Sequence, residues 1–301
     1  MSPEWVVWRK RLRPWLILGR VSNLPTVWSN CLAAWLLGGG GSPGRLMLAL
    51  LGGSLIYVAG MFLNDACDVE FDRVHRGERP IPSGEVTVPQ VWVAGLGLLL
   101  AGWICLVLLG TAGMILGVLL LMAVMAYDFV HKSVSFSPVL MAACRFFLFL
   151  AAGSAAAEGI VGRTVWSGLV LALYIVGLSY VARCESAGGL KAAWPFLLLG
   201  APIALAGFVN APSSWRNGTV LMPVVLLVIW TLRCQTLIFR ASRGAPSAGG
   251  GEGVRAGVSG LLAGIVWVDV VAVMPAAWPM GGVFLGLFVL SLVLQRVVPA
   301  T

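Results

Sequence analysis

Apolar runs long enough to cross a bilayer recur from one end of this 301-residue chain to the other, and nothing else limits its possible folds as severely. About 20 residues of helix cross roughly 30 Å of hydrocarbon. Ten candidate runs stand at 15–37, 46–66, 89–110, 112–130, 137–156, 165–182, 194–210, 219–239, 256–275 and 280–298. Lipid offers no partner to backbone N–H and C=O groups, so runs of this length are expected to close their hydrogen bonds internally as helices. The composition agrees: 59% of residues are hydrophobic and 11% charged, against roughly a quarter charged in a soluble domain. The expected fold is all-α, a polytopic membrane helical bundle forming one domain over 1–301.

Charge orients the runs. A net charge of +8 would suggest nucleic acid in a soluble protein. Here sixteen of the twenty Lys and Arg fall on one side if successive runs alternate in direction. Arg45, Arg163 and Arg216 lie opposite, and Arg145 is inside a run. By the positive-inside rule, this asymmetry places the N-terminus and the polar loops in the cytoplasm, in an inner (cytoplasmic) membrane. It favours membrane lipids as partners, and no nucleic acid. Residues 1–14, with Trp5, Trp8, Arg9, Lys10, Arg11 and Arg13, read as a basic interfacial segment rather than a cleaved leader. The six cysteines show no CxxC or other metal-ligand spacing and are expected to be reduced packing thiols.

Side chains capable of chemistry gather in two polar interruptions on the basic side, 67–88 and 183–193. The first overlaps the segment Asn64-Asp65-Ala66-Cys67-Asp68-Val69-Glu70-Phe71-Asp72. Aspartates at i, i+3 and i+7 project from one helix face. Three carboxylates beside a bilayer repel one another unless a cation lies between them. Mg²⁺ is commonly held by one or two carboxylates together with substrate phosphates. The plainer alternative is a solvated acidic cap following a helix. Deeper in the runs, Arg145 and Asp269 fall near mid-run and Asp128 lies one turn from a run's end. Charges at such depth are expensive and either pair or face a cavity. A buried Arg145–Asp128 or Arg145–Asp269 pair therefore stands beside a role for Arg145 in lining a substrate cavity. His75 reads as solvated and His131 as interfacial.

Asn64-Asp65-x-x-Asp68-x-x-x-Asp72, followed by Arg79-Pro80-Ile81-Pro82-Ser83-Gly84, resembles the first signature of the UbiA superfamily of intramembrane prenyltransferases. Arg20-x-x-Asn23-Leu24-Pro25-Thr26 resembles that family's first-helix motif, and Tyr127 with Lys132 is similar to its tyrosine–lysine feature. The resemblance implies a bundle usually of nine helices, so nine to ten transmembrane helices are expected. It also implies transfer of a polyprenyl group from its diphosphate to a lipophilic acceptor, with Mg²⁺ as cofactor. Asp65, Asp68 and Asp72 would hold the metal, with Asn64 adding an amide oxygen or orienting a metal-bound water. Asn23, Arg76, Arg79, Lys132 and Lys191 would contact the diphosphate, where donors neutralise the charge developing on the leaving oxygen. An apolar groove that excludes water would protect the allylic cation, and Tyr57, Phe62 and Tyr127 are candidates to stabilise it through their ring faces.

The second acidic signature of the superfamily, commonly DxxxD or DxxD, is not matched. The corresponding loop, 183–191, carries Glu185 as its only carboxylate, with Lys191 beyond it. Three readings stay open: a metal held by Glu185, a changed substrate, or lost transferase activity. Ser179-Tyr180-Val181-Ala182-Arg183-Cys184-Glu185 followed by Gly188-Gly189 looks like the EboC-type branch of the superfamily. The expected catalytic and metal-binding set is Asp65, Asp68, Asp72 and Glu185, in an Mg²⁺-dependent prenyltransferase. The rival is non-catalytic binding or transport of an isoprenoid or phospholipid-like intermediate. A solute transporter fits the composition, but its mark would be broken helices at mid-membrane, whereas the polar interruptions here lie at an interface.

Overall fold

A computed structural model describes residues 12–131, 134–186, 194–243, 250–274 and 277–300, except for the side chains of 184–186, 242–243 and 250–251. Lys132 and Lys191, the side chain of Glu185 and most of the basic N-terminal segment lie outside the described residues. The architecture is all-helical, with no strand among the described residues. After a helical stretch at 12–18 and a 3-10 turn at Val21–Asn23 come α1 (Leu24–Leu37), α2 (Pro43–Cys67), α3 (Val69–His75), α4 (Val88–Val107) and α5 (Thr111–Val130). The chain continues through α6 (Ser137–Gly153), α7 (Gly162–Ser186), α8 (Trp194–Leu198), α9 (Ala201–Val209) and α10 (Pro212–Arg216). It closes with α11 (Leu221–Arg243), α12 (Gly250–Ala263), α13 (Ile265–Val273) and α14 (Gly281–Gln295).

Every one of the ten apolar runs is helical. Seven helices among the described residues are long and apolar enough to cross a membrane, and two shorter apolar ones, Ser137–Gly153 and Trp194–Val209, accompany them. Proline marks several starts, at Pro43, Pro89 and Pro138, where its missing N–H costs no helical hydrogen bond. The last described residue, Ala300, lies against Asn23, the residue that precedes α1.

With lipid tails as apolar as leucine, helices associate by close packing of small residues rather than by hydrophobic exclusion. α2 packs along α4 where Gly52 faces Gly102. A Cβ on Gly102 would lie 2.7 Å from Ile56 Cγ1 and 2.9 Å from the Gly52 carbonyl oxygen, so the two backbones leave no room for a side chain. α11 packs along α12 in the same way, with Gly257 and Gly260 against Cys234 and Ile238. The five described cysteines, Cys31, Cys67, Cys105, Cys144 and Cys234, are free thiols.

At the end of the bundle away from the Asp-rich segment, Arg45 donates to three carbonyls, those of Leu109 (2.8 Å), Ser154 (3.0 Å) and Ala155 (3.2 Å). The glycine turn after α1 is tied to the same region, with the Gly40 and Gly38 carbonyls accepting from the Ala157 and Glu158 N–H groups at 2.7 and 2.9 Å.

Candidate active site

The Asp-rich segment is close to one continuous helix. Asp68 joins α2 to α3 by donating its N–H to the Asn64 carbonyl (3.0 Å) and accepting from the Asp72 N–H (2.9 Å). Asp65, Asp68 and Asp72 thus keep their shared helical face, and all three are buried, Asp72 to 1% exposure. A solvated acidic cap would not look like this.

Their partners are cationic side chains. Arg79 Nη1 reaches Asp72 Oδ2 at 2.7 Å and Asp65 Oδ1 at 3.2 Å, bridging two of the three carboxylates. Arg20 Nη2 donates to the same Asp65 Oδ1 at 3.0 Å. Asp68 turns instead to His131, at 3.4 Å between Oδ2 and Nε2. The hydrogen bond that His131 donates to the Asp68 carboxylate is the chief reason that the His131 pKa is raised above its ordinary 6.5. Among the described residues no three His, Cys, Asp or Glu side chains are grouped to hold a metal ion. In this arrangement guanidinium groups supply the positive charge between Asp65 and Asp72.

Local sequence explains why Arg79 sits there. Within the loop after α3, Ile81 and Val86 are buried against Leu18, Phe62 and Val91 in a small apolar cluster separate from the main core. The turn closes with the Ser83 N–H on the Arg79 carbonyl (2.9 Å) and the Gly84 N–H on the Ile81 carbonyl (3.1 Å). Gly84 has φ +80°, which residues with a Cβ adopt at a cost. Pro80-Ile81-Pro82-Ser83-Gly84 is thus an anchored turn that carries Arg79 onto the carboxylates. Arg20 is held more tensely. Its backbone is left-handed (φ 43°, ψ 49°), an unusual state for a non-glycine residue that costs about 1–3 kcal/mol and tends to occur at functional sites.

A second polar layer runs into the bundle along α1. Asn23, Thr26 and Asn30 repeat the i, i+3, i+7 spacing and share a face. Arg145 on α6 donates to Asn30 Oδ1 (2.9 Å) and Thr26 Oγ1 (3.1 Å), with its guanidinium 5.4 Å over the Tyr57 ring. Asp269 on α13 accepts from Asn30 Nδ2 (2.8 Å) and Ser29 Oγ (2.5 Å). The direct Arg145–Asp128 or Arg145–Asp269 pair expected from the sequence is not formed. Asn30 stands between guanidinium and Asp269 and satisfies each with the opposite end of its amide. Asn23 Nδ2 donates to the Tyr57 hydroxyl (3.2 Å) and to the Ala300 carbonyl (3.0 Å).

Other expected residues are placed as follows. Asn64 is buried beside Asp128, which is itself buried on α5, although the two miss good hydrogen-bond geometry. Tyr127 stacks on His131, ring centroids 5.0 Å apart, and Phe62 packs on Trp15 at 5.3 Å. Arg76 is exposed at the end of α3, beside His75, which stacks on Phe71. The sequence reading overlooked Arg20 and His131 as site residues. Arg20 was visible as the leading residue of its motif, three before Asn23, and His131 as the residue one turn after Tyr127 and Asp128. The polar stripe of α1 was legible as well.

Comparison with known proteins follows the same lines. Residues 22–249 match the model of the UbiA prenyltransferase family. A digeranylgeranylglyceryl phosphate synthase of Sulfurisphaera tokodaii is 32% identical over 85 residues, 28% of this chain and 31% of that one. A 4-hydroxybenzoate octaprenyltransferase of Pectobacterium carotovorum is 32% identical over 149 residues, 48% of this chain and 52% of that one. The chain thus spans about a third to a half of the length of the curated relatives it matches. A solved structure concerning digeranylgeranylglyceryl phosphate synthase in membranes superposes with a TM-score of 0.60 at 18% identity, covering 87% of this chain and 99% of that one. That likeness is one of fold.

Proposed function

We propose that this chain, which belongs to the UbiA prenyltransferase family, is a multi-pass membrane enzyme that moves a polyprenyl group from its diphosphate to a lipophilic acceptor. The observation that carries the reading is the buried chain Arg20–Asp65–Arg79–Asp72 at one end of an apolar bundle. Buried charge of this density is expensive in a membrane and is kept where it handles a charged ligand.

Breaking the allylic C–O bond leaves the electron pair on the diphosphate and a cation on the prenyl carbon. Arg79 and Arg20 are the donors placed to take up the negative charge, Arg through a fork that suits phosphate oxygens. The Tyr57 and Tyr127 rings would present to the prenyl cation the faces not taken by Arg145 and His131, and the apolar helices around them would exclude the water that quenches it. The acceptor closes the reaction by bonding to the prenyl carbon and releasing a proton. The donor chemistry of the Asp-rich segment fits a hard divalent cation: its ligands are all oxygens, and Asp72 Oδ1 is buried without a partner among the described residues. Asp65, Asp68 and Asp72, with Glu185 from the following polar loop, are the residues that would hold Mg²⁺. When bound, it would supply positive charge for the leaving diphosphate.

The test is direct. Membranes containing the protein, given labelled geranylgeranyl diphosphate and Mg²⁺, should release diphosphate, and Asp68→Ala should abolish the release. The second reading, an isoprenoid-binding or carrier protein, draws on the single carboxylate of the 183–191 loop. It predicts that the diphosphate is retained intact whatever acceptor is added.

A further inference from the structure

We propose that the C-terminal segment 297–300 is a built-in competitor of the substrate, a strap whose main chain occupies Asn23 until the diphosphate displaces it. The inference rests on the functional reading above together with the family resemblance, which implies that Asn23 contacts the diphosphate.

The strap follows α14. α14 packs on α1 and on the Val21–Asn23 turn, and Ser291 Oγ donates to the Ser22 carbonyl at 3.4 Å. Beyond Gln295 the chain stops being helical but does not leave the bundle. The Val297 and Val298 N–H groups bond back to the Leu294 carbonyl (3.0 and 2.8 Å). From there burial alternates: Val297 is exposed, Val298 is 4% exposed, Pro299 is exposed and Ala300 is 5% exposed. Two apolar side chains are thus sunk into the protein, and the Ala300 carbonyl arrives 3.0 Å from Asn23 Nδ2.

The chemistry of that contact identifies the competitor. A carbonyl oxygen accepts a hydrogen bond from an amide N–H, as a diphosphate oxygen does. The other Asn23 N–H is taken by Tyr57, whose ring carries the Arg145 guanidinium, so the strap sits where the inner polar layer meets the Arg20–Asp65 pair. Asn23 Oδ1 is buried without a partner among the described residues. An anion reaching Arg20 and Asn23 together must first lift Ala300 away. At the low end of each contribution, a strap held by one valine-sized burial and one neutral hydrogen bond weakens apparent substrate affinity by about 30-fold relative to a strap-free chain.

The test uses the full chain in nanodiscs with geranylgeranyl S-thiolodiphosphate, which ionises poorly, and MgCl₂. The Val297 and Val298 amides, bonded to the Leu294 carbonyl, should be protected from hydrogen exchange without the probe and lose that protection at saturation. Val298→Asp, which expels the strap without shortening it, should bind the probe about 30-fold more tightly. A chain ending at Arg296 should behave like Val298→Asp, which guards against a defect peculiar to that substitution. Protection unchanged at saturation, with equal affinities in all three chains, overturns the strap while leaving diphosphate binding intact. Failure of all three chains to bind the probe refutes the functional reading and the strap with it.

Discussion

Replacing Arg79 with methionine isolates the charge balance of the site. Methionine keeps the apolar stem and removes the guanidinium that bridges Asp72 (2.7 Å) and Asp65 (3.2 Å). Asp65 keeps Arg20. Asp72, with a side chain only 2% exposed, keeps no ion pair among the described residues. Removing one partner of a buried pair costs roughly 3–5 kcal/mol, because a charge is stranded away from water. The lower end applies, since Arg79 itself is 18% exposed and water can follow it out, so about 3 kcal/mol of stability should be lost. The control is Arg73→Met, which breaks the 2.8 Å pair with Glu70 where the side chains are 56% and 81% exposed. An exposed pair contributes about 0–1 kcal/mol. Asp72→Asn added to Arg79→Met removes the stranded charge and should recover most of the loss. Unfolding in mixed dodecyl maltoside and SDS micelles with EDTA, followed by tryptophan fluorescence, gives all four values. If Arg79→Met is as mild as Arg73→Met, the carboxylates do not depend on Arg79 and the reasoning fails. Millimolar Mg²⁺ in place of EDTA should restore Arg79→Met in part and leave the double variant unchanged, if a cation takes the vacated place.

Three further outcomes follow from other contacts. Gly102→Val should destabilise by several kcal/mol, since its Cβ would meet the Gly52 carbonyl oxygen at 2.9 Å and the Ile56 N at 3.0 Å; Gly97→Val, with open space around it, is the control for the same measurement. Asn30→Leu takes one hydrogen bond from each of Arg145 and Asp269, which keep Thr26 and Ser29, and should cost about 3 kcal/mol in the same unfolding series. His131 has a pKa raised in the folded chain by Asp68, so its contribution is complete below the ordinary value of 6.5 and disappears as pH rises through the raised one. Stability in EDTA should fall over that window, His131→Gln should flatten the fall, and a profile unchanged by His131→Gln would remove His131 as its source.

The sequence disclosed the helices because lipid leaves a long apolar run few other options, and all ten runs are helical. Asp65, Asp68 and Asp72 were legible as one face because helical spacing alone sets that face. Which cation each carboxylate meets was not legible. Arg20 and Asp65 are 45 positions apart, and Asp68 and His131 lie on different helices, so only the packing of the bundle brings them together. The Asn30 relay was hidden for a related reason: spacing identifies charges at membrane depth but not the neutral amide placed between them. Glu185, Lys132 and Lys191 lie where the structure gives no side-chain geometry, and their roles rest on the resemblance.

Arg45 closes on three carbonyls at the bundle's far rim, drawing the ends of α4 and α6 onto α2. A bundle stitched there cannot widen evenly along its length. Under the proposed function, a widening that admits an isoprenoid would pivot about that knot, the helices parting as a fan does, most at the rim with the aspartates and least at Arg45. The same geometry would give a bound chain its direction: its diphosphate head would sit where the fan opens, and its far end would be pinched toward the pivot.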